Sequence, residues 1–164
     1  MRSIVVILHN IRSTHNVGAI MRTAEGFGVT ECVMTGYTPY PTHAADDRLP
    51  HLTRKIHGQI AKTALGAEEA LSWRTHADIL ALLAELKDQG YQIAGLEQDD
   101  SSIVLASAPR KSPIALLLGE EVHGIAPELR TACDILLEIP MRGTKESFNV
   151  SVAAGIAMYE LSKA

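Results

Sequence analysis

The sequence predicts an α/β fold, a mostly parallel sheet covered by helices on both faces. Three observations point there. Short apolar runs alternate with segments of helical periodicity, as in strand–helix–strand units. The runs at 4–8 and 114–118 are apolar throughout, without period-two alternation, so both faces of their sheet must be covered. No internal repeat, low-complexity tract or linker divides the 164 residues, so one domain over 1–164 is expected, large enough for a real core.

Residues 4–8 read as the first buried strand, followed by a polar loop at 9–15. A helix is expected from Asn16, a good N-cap residue, because Val17, Ile20, Met21 and Ala24 recur at helical spacing. Gly26 and Gly28 would end it, and a second strand is expected at 32–35. Residues 36–50 read as a long loop with Pro39, Pro41 and Pro50, and such loops in small domains are usually functional or mobile. Residues 59–70 carry only a weak helical pattern. Residues 76–89 read as an amphipathic helix, with Ile79, Leu82, Leu83 and Leu86 on one face and Gly90 suited to its C-terminal cap. Strands are expected at 91–96, within 101–108, at 114–118 as the most central, and at 135–139. Pro140 closes the last of these, since it has no N–H for a ladder. A short helix fits Pro127–Ala132, and a final helix fits 149–161.

Composition removes several function classes. With 46% hydrophobic and 21% charged residues the chain reads as an ordinary soluble globular protein. The apolar run at 4–8 is too short for a signal-peptide core or a membrane span, and neither end carries a lipidation signature. A cytoplasmic protein without membrane contact is expected. Cys32 and Cys133 lack CxxC spacing and read as small core residues. The seven histidines show no HxxxH pairing and no adjacent Cys, so no metal is expected. Gly26-Phe-Gly28 lacks a third glycine and ends a helix; no Walker A or Gly-x-Ser-x-Gly sequence occurs. NAD-dependent redox, nucleotide hydrolysis and esterase chemistry all lose support.

Net charge is −4, which argues mildly against nucleic acid. The distribution softens that point. Arg48, Arg54, Lys55, His57 and Lys62 share one stretch, Arg12 and Arg22 lie near the amino terminus, and acidic residues gather at 85–88 and 97–100. A local basic face and a solvated loop with scattered charges are both open readings.

Three segments carry candidate chemistry. Arg22 lies roughly 150° from the apolar stripe of the first helix, so it is no core residue. It reads either as a surface arginine or as one aimed at a phosphate or polar substrate. Gly18 would let a backbone or a ligand approach closely. Residues 119–124, Gly-Glu-Glu-Val-His-Gly, follow the central strand at the sheet edge where open α/β sheets bind ligands. One carboxylate there is expected to face a site and the other water, while a lone turn histidine such as His123 is more often a surface residue. Ile139 and Met141, beside Pro140, would offer apolar side chains and free backbone groups to a flat ring such as adenine. Ser147 and Asn149 stand at a helix entrance with free N–H groups. The small residues Ser151, Ala153, Ala154, Gly155 and Ala157 imply close packing, internal or in a dimer.

In this order the segments Asn16-Val-Gly-Ala-Ile-Met-Arg22, Leu118-Gly-Glu-Glu-Val-His-Gly124, and Ile139-Pro-Met141 with Ser147-Phe-Asn-Val-Ser-Val-Ala153 resemble the SpoU/TrmH family of RNA ribose 2′-O-methyltransferases, within the SPOUT superfamily. The similarity spans essentially the whole chain. Phe148 is a small departure, standing where leucine is more usual. The resemblance implies a C-terminal deep trefoil knot, an exception to unknotted topology. It implies S-adenosylmethionine as cofactor, bound by Leu96, Gly119, Ile139, Met141, Ser147 and Phe148. It implies a homodimer packed partly through the final helices, and a polar catalytic site of Asn16, Arg22, Glu121, Ser147 and Asn149. Arg22 would contact the phosphate and reacting ribose of the target. Because guanidinium stays protonated, a phosphate oxygen or water would take the hydroxyl proton, with Arg22 organising both. The substrate implied is RNA, with transfer RNA favoured and ribosomal RNA the alternative. No separate RNA-binding domain is expected within 1–164; the basic stretch 48–62 of a partner subunit, or another protein, would serve instead. A catalytically silent RNA-binding dimer is the competing function.

Overall fold

The computed structural model describes residues 3–109 and 112–163. The strands are β1 (Ile4–His9), β2 (Glu31–Thr35), β3 (Trp73–His76), β4 (Gln92–Leu96), β5 (Ile103–Val104), β6 (Ile114–Leu118) and β7 (Ile135–Glu138). The helices are α1 (Thr14–Gly26), α2 (Pro50–Ala64), α3 (Ala67–Ala70), α4 (Ile79–Asp88), α5 (Pro127–Ala132) and α6 (Val150–Ser162). The seven strands form one sheet in the order β3-β2-β1-β6-β4-β7-β5, and every pairing is parallel. β6 holds the centre, and all five of its residues are buried.

Alternate residues of the apolar strands feed two cores. Ile4, Val6, Leu8 and Leu116 face α1, α2 and α6, meeting Val17, Ile20, Met21, Ile60, Ala157 and Met158. Val5, Ile7, Ala115 and Leu117 face α4 and α5, meeting Leu82, Leu83, Leu86 and Leu129. Full burial of each large aliphatic side chain contributes about 1.5–3 kcal/mol, which is why these runs tolerate no polar alternation.

Four local expectations change. Ser13, not Asn16, caps α1: its side chain accepts from the Asn16 backbone N at 3.2 Å. The amide of Asn16 is thereby left for a tertiary contact. α2 starts at Pro50, which the expected loop had absorbed; proline suits a first helical turn because its missing N–H has no intrahelical partner there. β3 was not foreseen. Its residues are polar or half-buried at the sheet edge, and pairing with β2 creates the strand. α4 therefore begins later than expected, capped by Asp78, whose side chain accepts from the N–H groups of Leu80 and Ala81.

Gly18 takes the backbone alternative. A Cβ there would collide with the Ile60 carbonyl and the Thr63 hydroxyl, so the glycine sets the distance between α1 and α2. The small residues of α6 serve an internal fit: Ala154 and Ala157 are fully buried, and a Cβ on Gly155 would meet Thr23 of α1 at 3.6 Å. Cys32 is buried and Cys133 partly so. Among the described residues no helix is long and apolar enough to cross a membrane.

Candidate active site

The carboxyl ends of β4, β6 and β7 open on a cavity of about 420 Å³. Residues 96–98, 118–124, 137–139 and 147–150, with Ala153, form its walls. Parallel strands end at one edge, and the loops leaving them converge there.

The 118–124 wall is a tight return. Glu120 N donates to the Gly124 carbonyl at 3.1 Å and Gly124 N donates to the Glu120 carbonyl at 2.8 Å. Only glycine fits at 119, because a Cβ would run into the Gly124 backbone. Glu97, which the sequence reading missed, clamps the loop from β4: its carboxylate accepts from Ile125 N at 2.6 Å and lies against Gly124, whose φ is +66°. Its place just beyond the carboxyl end of a strand was the available signal.

Glu121 ties this loop to the first helix. It accepts from the backbone N–H groups of Arg12 at 3.1 Å and Ser13 at 3.2 Å, and from the Asn16 amide at 3.1 Å. Asn149 in turn donates to Asn16 Oδ1 at 3.2 Å, while its own Oδ1 accepts from Ser151 N at 2.9 Å and caps α6. One hydrogen-bonded line thus joins three segments, with Asn16 more than a hundred residues from both of its partners. Burial works against the charge of Glu121, but the backbone donors and the Asn16 amide outweigh it and hold its carboxyl below the ordinary value of 4.5.

Glu120 does not simply face water. It lines the cavity and meets His123 Nδ1 at 3.0 Å, so His123, exposed as expected, also belongs to the cavity rim.

Of the expected cofactor residues, Leu96, Gly119, Ile139, Ser147 and Phe148 line the cavity. Met141 does not; β7 ends at Glu138, and the wall it supplies ends at Ile139. Of the expected polar residues, Glu121, Ser147 and Asn149 line it, and Asn16 is bonded to two of its walls. Arg22 is elsewhere. It lines a separate surface hollow with Lys62 and Phe27. Six residues along α1 place it roughly 120° round the helix and about 9 Å along the axis from Asn16, so one subunit does not bring the two together.

The basic stretch is divided as well. Arg48 serves its own loop: it pairs with Asp46, donates to the carbonyls of Tyr40 and Pro41, and lies 3.6 Å from the Tyr40 ring centre. His57 Nδ1 lies 3.3 Å from Thr42 N and holds the same loop. Arg54, Lys55 and Lys62 are exposed. Among the described residues no group of three or more His, Cys, Asp or Glu side chains is placed to hold a metal.

The 23S rRNA (guanosine-2′-O-)-methyltransferase RlmB of Nitrosomonas europaea is 34% identical over 158 residues, covering 96% of this chain and 55% of that protein. The protein of the same name from Ralstonia nicotianae is 33% identical, covering 96% and 57%. The chain thus spans about half the length of these curated relatives. An AdoMet-bound rRNA methyltransferase from Sinorhizobium meliloti has the same fold, with a TM-score of 0.82 at 23% identity over 98% of this chain and 56% of that one. The A. aeolicus TrmH/SpoU tRNA modifying enzyme matches with a TM-score of 0.80 at 25% identity, covering 99% and 75%. The model of the SpoU rRNA Methylase family matches residues 3–159, a span that takes in every segment meeting at the cavity, and the chain belongs to that family.

Proposed function

We propose that the chain is a ribose 2′-O-methyltransferase that acts on RNA with S-adenosylmethionine. The observation that carries the reading is the line Asn149–Asn16–Glu121 at the mouth of the cavity, which draws together the residues of all three family segments. A silent RNA-binding dimer would have no use for three polar side chains held in register beside a cofactor-sized cavity.

The cavity suits the cofactor by its chemistry. Leu96, Ile139, Phe148 and Ala153 offer apolar surface for a flat ring, and Glu97, Glu120 and Glu121 supply negative charge for a sulfonium. When bound, S-adenosylmethionine supplies an electrophilic methyl group. The chain's own work is positioning and exclusion of water. Glu121 fixes Asn16 and the 12–13 backbone, Asn149 fixes Asn16 from the other side, and Ser147 lines the wall beside them.

Arg22 belongs to the same proposal through a second subunit. Tyr159, exposed on α6, adjoins Phe27, which lines the Arg22 hollow, their rings 6.0 Å apart; Val152, also exposed, stands about two turns earlier on the same helix. A homodimer burying this face would carry the guanidinium of one copy toward the cavity of the other. A single domain over 1–164, a knotted path for the C-terminal part, a site without metal and a cytoplasmic location are parts of the same reading. The interleaving of β4 and β5 with β6 and β7 in the sheet supports the knot.

Ribosomal RNA is the substrate class that the names of the curated relatives support, and it takes the place of the transfer RNA favoured from the sequence. Transfer RNA is kept as a second reading by the A. aeolicus likeness. Methyl transfer from tritiated S-adenosylmethionine, measured separately on unmodified 23S rRNA and tRNA transcripts, is expected to label ribose 2′-oxygens in one pool. No label in either sinks the proposal, and label on bases corrects it.

A further inference from the structure

Among the described residues three Phe and Tyr side chains are exposed. Phe148 lines the cavity, and Tyr159 lies against Phe27 and beneath Lys163. Tyr37 is the third: it is 55% exposed, and among the described residues no ring or cation covers its face. Its position is nevertheless fixed. Asn10 Oδ1 accepts from Tyr37 N at 3.2 Å, and Asn10 Nδ2 donates to His9 Nε2 at 3.2 Å. His9 Nδ1 in turn meets Thr35 Oγ1 at 2.8 Å. On the other side of the turn, Thr38 Oγ1 donates to the Leu8 carbonyl at 2.8 Å and accepts from Ile11 N at 3.0 Å. A short turn after β2 is therefore bolted to the end of β1 by four side chains. The ordering cost of presenting the ring has been met in the free protein.

The ring stands at the same sheet edge as the cavity. Glu120, a cavity wall, lies beside the Tyr37 hydroxyl; the surrounding protein and this carboxylate together push the phenol above its ordinary value. Arg12, whose backbone N–H binds Glu121, is exposed near it, and Val122, two residues on from Glu120 in the cavity wall, is 70% exposed. An aromatic face, an adjacent guanidinium and a nearby apolar side chain match a nucleobase with its phosphate.

We infer that Tyr37 is a stacking platform for a nucleobase of the RNA substrate, holding the strand so that its ribose meets the Asn16–Glu121 site. This rests on the RNA methyltransferase reading but concerns a residue outside the three family segments. The aromatic face carries the role, and the hydroxyl only steadies it.

The test compares Tyr37→Phe, Tyr37→Leu and Tyr37→Ala with the wild type. Two readouts are taken: filter binding to the 23S rRNA and tRNA transcripts without cofactor, and the kcat and KM of methyl transfer on the transcript that accepts label. Tyr37→Ala is expected to weaken RNA binding and raise KM for RNA by about tenfold, the value of one base stack. Tyr37→Leu should fall between, and Tyr37→Phe should match the wild type within about twofold. Cofactor affinity should be unchanged in all three, which also reports that they are folded. Wild-type affinity in Tyr37→Ala, equal losses in Phe and Ala, or a wild type that binds neither transcript each overturns the inference. A wild type that binds RNA with Tyr37-dependent affinity yet transfers no methyl group supports the platform and removes the catalytic reading instead.

Discussion

Asn149 holds two jobs with one side chain. Its oxygen caps α6, and its nitrogen donates to Asn16. Asn149→Ala should lose about 1 kcal/mol of stability for the cap and cut methyl transfer by more than about tenfold. Asn149→Asp keeps the capping oxygen but not the donor, so urea unfolding should return near wild type while turnover stays low. Equal recovery of both would mean that the amide donor is idle. Glu121 carries a pH signature. Its carboxyl is held below 4.5 in the folded chain, so its contribution to stability is complete above that value and is lost as pH falls through the lower folded value. The gap in unfolding free energy between wild type and Glu121→Gln should be widest near neutral pH and should close in acid. A gap independent of pH would deny that the ionised form is what Arg12, Ser13 and Asn16 hold. These pairings were only half visible in the sequence. Asn16, Glu121 and Asn149 could be marked as site residues, but not that they bond to one another, and Glu97 gave no motif at all.

At the scale of elements, the contact between α1 and α2 is set by one absent methyl group. Gly18→Ala pushes a Cβ into the Ile60 carbonyl and the Thr63 hydroxyl. Overpacking of this kind costs about 1–3 kcal/mol, and calorimetry should show Tm lowered by several degrees. An unchanged Tm would mean that α2 is free to shift. The strongly apolar elements could be read in advance: β6 runs over the expected Ile114–Leu118, and α5 over Pro127–Ala132. α2 and β3 could not. α2 has a mostly polar surface and gains its stability from packing on α1, and β3 exists because β2 offers it a ladder.

For the whole molecule, Arg22 lies outside the cavity, so on the proposed reading the dimer is a catalytic requirement. Arg22→Ala should abolish methyl transfer while cofactor affinity stays near wild type. A defined heterodimer of Arg22→Ala with Asn149→Ala should recover about half of the wild-type rate, since one of its two sites would be intact. No recovery places Arg22 and Asn149 in one subunit. Sedimentation at micromolar concentration should give a dimer, and Tyr159→Asp should shift it toward monomer. A wild-type monomer at that concentration ends the shared-site reading.

The sequence by itself determined the α/β class, the central strand, the family and most of the cavity wall. Each of these is written in local apolar runs or in short motifs that retain their meaning wherever the chain goes. Only the tertiary structure decided that Ser13 rather than Asn16 caps α1, that Glu97 clamps the 119–124 return, that Met141 leaves the wall, and that Arg22 stands apart. Those outcomes depend on where strands distant in sequence end relative to one another, and the free energy that fixes them belongs to contacts that exist only once the sheet has assembled.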